Sequence, residues 1–251
     1  GAMRITGKGV WGPPPDLDAA RAVLRRAVEL GVNLIDTADS YGPEVSENLI
    51  REALHPYPEG LVIATKAGLV RTGPNEWPRN GRPEHLREAV EGSLRRLGVD
   101  RIDLLQLHAP DPDVPYEESL GALIELRDEG KILELGVSNV DVPLLEKALS
   151  MTSVVSVQNR YNLVDRSSEP VLQACESRGI VFIPWHPLGG GRDEPPAEIV
   201  SAAGRPGATV SQTVLAWLLA KSPVMLPIPG TGSVEHLEEN IGAVGVELAT
   251  E

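Results

Sequence analysis

Four residues of complementary chemistry stand where apolar stretches give way to polar ones: Asp36, Tyr41, Lys66 and His108. The stretch 32–35 passes straight into Asp36-Thr37-Ala38-Asp39-Ser40-Tyr41-Gly42, residues 61–65 end in Lys66, and residues 102–107 end in His108. An apolar run that surfaces into charge reads as a buried parallel strand opening at a polar mouth. A phenol is a poor acid at neutral pH, with a reference pKa near ~10. A lysine ammonium beside it favours the phenolate and is expected to lower that value. A carboxylate keeps the lysine charged and fixed, and an imidazole can hold a substrate oxygen by a hydrogen bond. The set would make a proton donor for an oxygen gaining charge, as when hydride adds to a carbonyl. Each residue alone has a plainer reading: a loop cap for Asp36, packing for Tyr41, a surfacing charge for Lys66, a structural histidine for His108. Convergence of all four on one rim favours the chemical reading.

Bringing four groups to one rim requires strands that alternate with helices. Asp16 is placed to cap a helix whose apolar face is Leu17, Ala20, Val23, Leu24, Ala27 and Val28, closed by Gly31. Pro83 starts a helix with the face Leu86, Val90, Leu94 and Leu97, closed by Gly98. Convincing strands are expected at 33–38, 61–66, 102–108, 132–138, 154–159, 180–185 and 224–229, with a short strand-like piece at 2–6. Each convincing strand releases polar residues at its C-terminal end, the rim where a (β/α)8 barrel carries its site. A doubly wound sheet would want a Gly-rich phosphate turn after its first strand, and the sequence has none. The expected fold is therefore α/β, a (β/α)8 TIM barrel in one domain over residues 1–251, with the first strand truncated or missing at the N-terminus.

The chain has 251 residues with a formal net charge of −13, a balance that argues against nucleic acid and anionic membrane as partners. Its one cysteine, Cys175, excludes an internal disulfide and fits a reducing cytoplasm. No apolar run reaches the ~18 residues a membrane span needs.

Six motifs, in order along the chain, closely resemble those of the aldo-keto reductases. They are Asp36-Thr37-Ala38-Asp39-Ser40-Tyr41-Gly42, Ala64-Thr65-Lys66, Leu104-Leu105-Gln106-Leu107-His108, Gly136-Val137-Ser138-Asn139, Val157-Gln158-Asn159-Arg160-Tyr161-Asn162, and Ile228-Pro229-Gly230-Thr231-Gly232-Ser233 with Glu238-Glu239-Asn240. The resemblance implies the barrel, a nicotinamide cofactor held without a Rossmann turn, and the tetrad Asp36, Tyr41, Lys66 and His108. It implies that Ser138, Asn139 and Gln158 hold the carboxamide. Trp185 stands where the family often has a tyrosine stacked on the nicotinamide. The stretch 188–191, including Leu188 and Gly190, would wrap the pyrophosphate. Thr231 and Ser233, at a helix start, would meet the 2′-phosphate, with His236 as a further donor and Glu239 and Asn240 toward the adenosine. Many members carry Lys and Arg around the 2′-phosphate, whereas the matching places here hold Gly230 and His236. NADP(H) is the expected cofactor, with NAD(H) as the alternative. The family's first strand leads into residues matching 1–3.

The expected activity is NADP(H)-dependent reduction of a small-molecule aldehyde or ketone, with Tyr41 as general acid. Trp11, Arg71 and Trp77 are candidates for the substrate wall. Two rivals remain: a non-catalytic, nicotinamide-sensing subunit that keeps the barrel, and a metal-dependent hydrolase using Asp36, His108 and His186. The sequence has no paired histidine motif on one strand, and a lysine near the site opposes a cation. Substrate identity and oligomeric state are not written in these residues.

Overall fold

The apolar runs form parallel strands because each is buried on both faces, by helices outside and by the other strands' side chains within. The structure is a computed structural model that describes residues 1–189 and 208–248. Strands β1 (Leu34–Asp36), β2 (Val62–Ala67), β3 (Ile102–Leu107), β4 (Ile132–Ser138), β5 (Ser156–Arg160) and β6 (Val181–Trp185) pair in sequence order, all parallel. Helix α1 (Leu17–Glu29) precedes β1. Helices α2 (Val45–Leu54), α3 (Pro83–Leu97), α4 (Tyr116–Asp128), α5 (Val142–Met151) and α6 (Glu169–Glu176) cross between successive strands, and α7 (Val210–Lys221) and α8 (Val234–Gly242) follow. This is an α/β fold of the TIM-barrel type, its strands curling as part of a barrel wall.

Local chemistry sets the helix ends. Asp16 Oδ1 accepts the Ala19 N–H at 2.9 Å and caps α1. Pro83 opens α3, and Gly98 closes it at φ +70°, where its N–H meets the Leu94 carbonyl at 2.9 Å. Thr209 and Gln212 form a capping box at α7. The expected face of α1 is buried at Ala20, Val23, Leu24 and Ala27, but Leu17 in the first turn is 41% exposed. The main core lies between β2–β6 and the helices α3–α7, and includes Cys175 on α6.

Two expected strands are not strands. Residues Met3–Ile5 form one 3₁₀ turn, and Thr6 Oγ1 donates back to the Met3 carbonyl at 2.8 Å. That local bond competes with extended pairing. Only Ala2 meets the sheet, donating its N–H to the Asp36 carbonyl at 2.7 Å. The stretch 224–229 touches β6 by a single bridge, Phe182 to Met225, with the Phe182 N–H on the Val224 carbonyl and the Leu226 N–H on the Phe182 carbonyl. The next donor from β6 toward this stretch would be residue 184, a proline with no N–H, so the ladder cannot run further. Between β1 and this stretch lies an apolar cavity of about 290 Å³, lined among others by Val23, Leu34, Leu226 and Ile241.

Candidate active site

Lys66 is fully buried on β2, and its ammonium has three kinds of partner. Its Nζ lies 2.9 and 2.8 Å from the two carboxylate oxygens of Asp36, at the end of β1. It donates to the Thr37 carbonyl at 2.7 Å and to the Tyr41 hydroxyl oxygen at 3.4 Å. A buried charge pair persists only when its remaining hydrogen-bonding capacity is met. Here Gln158 Nε2 on β5 adds a bond to Asp36 Oδ2 at 2.8 Å. Because the Tyr41 oxygen accepts from Lys66, its own proton can go to another acceptor.

The electrostatics differ from the sequence expectation in one respect. Burial pushes the Tyr41 phenol above its ordinary value, and the Lys66 ammonium offsets that only in part. The lowered phenol pKa expected from the lysine alone is therefore not what this pocket produces, since desolvation disfavours the phenolate more than one ammonium favours it. Burial is the largest single influence on Lys66 and acts to lower it, but Asp36 and Tyr41 together outweigh it and the net shift is upward. Burial first, then Lys66, holds His108 well below the usual imidazole value, so this ring is neutral. His108 Nδ1 sits 3.5 Å from Ser40 Oγ, and its ring meets Tyr41 edge-on at 6.0 Å. The structure thus brings together all four residues that the sequence pointed to.

Beneath them runs a polar layer that sequence reading missed. Gln158 Nε2 also donates to Gln106 Oε1 at 2.9 Å, and Gln106 Nε2 donates to Ser156 Oγ at 3.0 Å. Register explains the path: Lys66 pairs with Gln106, Gln106 with Gly136, and Gly136 with Ser156. A Cβ at Gly136 would stand 2.3 Å from Ser156 Oγ and 2.9 Å from Gln106 Cγ, so glycine alone lets the two side chains meet across β4. The available signal was the shared register of polar residues inside otherwise apolar strands.

The residues expected around a nicotinamide lie on the same rim. Ser138 Oγ donates to the Gln158 carbonyl at 2.7 Å. Asn139, at φ +58°, donates to the His108 carbonyl at 2.9 Å and to Ser138 Oγ at 3.0 Å. Asn139 Oδ1 accepts the Trp185 Nε1–H at 3.0 Å, which fixes that half-buried ring at the end of β6. Hydroxyl, amide and a held flat ring are groups that suit a nicotinamide carboxamide. Both N–H of Gln158, however, turn inward to Asp36 and Gln106, an orientation the motif did not reveal.

Farther along, Thr231 Oγ1 accepts the Ser233 N–H at 3.0 Å, and Ser233 Oγ caps α8 through the His236 N–H at 3.4 Å. Arg4 is exposed beside this turn: its Cγ would lie 3.4 Å from a Cβ at Gly230, and it has no ion-pair partner among the described residues. Glu239 is used differently from expectation. Its carboxylate takes the Thr209 hydroxyl at 2.5 Å, and so ties α8 to α7. Asn240 borders the apolar cavity, and Leu188 packs on the main core. Gly190 lies outside the described residues.

Of the expected substrate wall, Trp77 meets Tyr41 edge-on at 6.3 Å. Trp11 is 38% exposed and bridges to Gly42. Arg71 turns its guanidinium to backbone carbonyls rather than to the pocket. The metal reading has no support from the geometry of Asp36, whose two oxygens are taken by Lys66 and Gln158. Among the described residues no three His, Cys, Asp or Glu side chains are arranged to hold a metal ion, and no helix is long and apolar enough to cross a membrane.

Fold and site together describe a TIM-barrel-type α/β protein with a buried acid–base cluster at the strand ends. A sequence profile of the aldo/keto reductase family matches residues 1–251, and the chain belongs to that family. It is 54% identical over 252 residues to an uncharacterized oxidoreductase of Schizosaccharomyces pombe, covering 100% of this chain and 82% of the other. It is 41% identical over 258 residues to the pyridoxine 4-dehydrogenase of Escherichia coli, covering 100% of this chain and 90% of that one. Among solved structures, the thermostable aldo-keto reductase Tm1743 with the inhibitor epalrestat superposes with a TM-score of 0.83 at 34% identity, covering 99% of this chain and 91% of the other. An aldo/keto reductase from Klebsiella pneumoniae, in complex with NADP and acetate, gives 0.82 at 29% identity, with 98% and 87% covered. The protein is an oxidoreductase.

Proposed function

We propose that the chain is an NADP(H)-dependent reductase of aldehydes or ketones, with Tyr41 as the general acid. The observation that carries this reading is the buried ammonium of Lys66, which bonds Asp36, the Thr37 carbonyl and the Tyr41 hydroxyl at once. A bound nicotinamide would supply the hydride to the carbonyl carbon. Ser138, Asn139 and Trp185 are the residues that would hold it, with Thr231, Ser233 and Arg4 toward its phosphates; the Klebsiella relative binds NADP. Tyr41 gives its proton to the carbonyl oxygen as negative charge develops there. The phenolate so formed lies beside the Lys66 ammonium, which Asp36 keeps charged, and solvent returns the proton. Neutral His108 orients the substrate oxygen: a Ser40 hydroxyl donating to Nδ1 leaves Nε2–H as the donor.

The reading is tested by measuring NADPH-dependent reduction of a carbonyl panel, in which pyridoxal is included because of the dehydrogenase relative, by the parent and by Tyr41→Phe. Turnover by the parent, with a loss of roughly 10²–10⁴-fold in the variant, is expected. Tight NADPH binding with no turnover by the parent would instead favour the sensing subunit. Arg4→Ala is expected to weaken NADPH more than NADH, read by quenching of tryptophan fluorescence.

A further inference from the structure

Arg71 sits where three loops meet: 6–16 before α1, 37–44 after β1, and its own loop after β2. Its Nε donates to the Glu76 carbonyl at 2.8 Å. One terminal nitrogen donates to Val10 at 2.6 Å and Ser40 at 3.1 Å, and the other to Gly9 at 2.8 Å and Gly73 at 3.1 Å, all backbone carbonyls. A guanidinium carries five N–H groups, and here five carbonyls receive them. None is left for a substrate. The guanidinium carbon lies 3.7 Å from the centroid of the Trp77 ring and 5.8 Å from that of Trp11. Trp77 in turn packs edge-on against Tyr41.

We propose that Arg71 is a positioning residue for the proton donor. It holds the Ser40 carbonyl and the Trp77 ring on two sides of Tyr41, and so fixes the turn that presents the phenol to Lys66. The inference rests on the reductase reading of the Tyr41 site. Other bonds tie the ends of this turn, with the Asp39 N–H on the Lys66 carbonyl at 3.3 Å, the Glu44 N–H on the Asp39 carbonyl at 2.8 Å and the Gly12 N–H on the Gly42 carbonyl at 2.5 Å, whereas Arg71 holds the Ser40 carbonyl directly before Tyr41. Tyr41 N–H reaches the Ala38 carbonyl at 3.2 Å, and the Tyr41 carbonyl receives the Ser46 N–H at 3.1 Å. Lysine cannot substitute, because it has three donors on a point charge and no plane to lie on an indole.

The experiment compares parent, Arg71→Ala and Arg71→Lys, each corrected for its folded fraction. Misplacement of a reacting group by about 1 Å costs on the order of 10²-fold, so kcat of Arg71→Ala should fall by about that factor while the NADPH Kd changes little. Arg71→Lys should lie between. Low millimolar guanidinium chloride should restore part of the Arg71→Ala rate, where sodium chloride at the same concentration does not. A bolt with a merely structural role would lower Tm yet leave kcat per folded molecule and guanidinium rescue unmoved. Parental kcat in both variants overturns the proposal; if Arg71→Ala does not fold, parental kcat in Arg71→Lys alone does so. If the parent turns over no carbonyl, the reductase reading fails separately, and Tyr41 ionisation decides by ultraviolet titration with Tyr41→Phe as blank. A titration displaced in Arg71→Lys supports the positioning role, and an unchanged one overturns it.

Discussion

At the Tyr41 phenol two effects of opposite sign compete, and burial wins over the neighbouring ammonium. A general acid must carry its proton, so an upward shift keeps the donor loaded across the neutral range. Carbonyl reduction should therefore hold its kcat through neutral pH and fall only above about pH 10, near and beyond the ordinary phenol value. Alcohol oxidation, which needs the phenolate, should rise over the same range. A stopped-flow or steady-state pH profile in both directions checks this, and a reduction rate that halves near neutrality would contradict it. Asp39, two residues before Tyr41, has a buried Oδ1 with no hydrogen-bond partner. Burial, reinforced by Glu47 and opposed by Arg96, pushes its pKa from the ordinary 3.8 up to about 8. The folded state thus holds a proton that the unfolded state releases. The associated stability is present below the unfolded value and is lost as pH rises through the folded one. Asp39→Asn should flatten this loss and, at about pH 9, raise stability by roughly 1–3 kcal/mol over the parent, measured by urea unfolding.

At the scale of elements, the site depends on β-strand register. Gly136→Ala would drive a methyl into Ser156 and Gln106, so we expect a loss of about 1–3 kcal/mol, part of it recovered by adding Ser156→Ala. Urea midpoints of the three proteins measure it, and a neutral Gly136→Ala would refute the account. Much of this architecture was legible beforehand. Apolar runs closed by Asp36, Lys66 and His108 marked β1 to β3, and Asp16, Pro83 and Gly98 marked helix ends, because caps and strand exits are local chemistry. The Gln106–Ser156 layer was not legible, since it depends on which residues face each other across strands far apart in sequence. The stretch 224–229 was misread for a related reason. Its apolar composition suits a strand, but Pro184 on β6 lacks the N–H that the next rung of the ladder needs. The direction of the Tyr41 shift escaped as well, because a spacing reveals neighbours and not how much water they exclude.

Over the whole molecule, the outer helices are tied to one another by charge pairs around the ring. Arg21 meets Glu52 from α1 to α2, Arg96 meets Glu47 from α3 back to α2, and Arg87 reaches Glu125 from α3 to α4. Lys147–Glu117 and Lys221–Glu169 continue the circuit, and Arg26–Glu238 joins α1 to α8 across the gap in the strands. Apart from Arg96–Glu47, whose carboxylate is buried, these pairs are exposed and screened by solvent, so the ring guides helix order more than it sets stability. The gap is the apolar cavity beside β1. Apolar hollows of this size take up small hydrophobic molecules. An environment-sensitive dye such as anilinonaphthalene sulfonate should bind the folded protein saturably well below its Tm, and a flat fluorescence titration would count against the cavity as drawn. Cys175 gives the molecule a practical property. Its thiol is buried against the sheet, and desolvation pushes its pKa up to about 12, so the reactive thiolate is scarce at neutral pH. A cysteine introduced at Val244, which is 80% exposed, should therefore react with a maleimide alone, and a spin label or fluorophore could be attached there without first removing the native sulfhydryl.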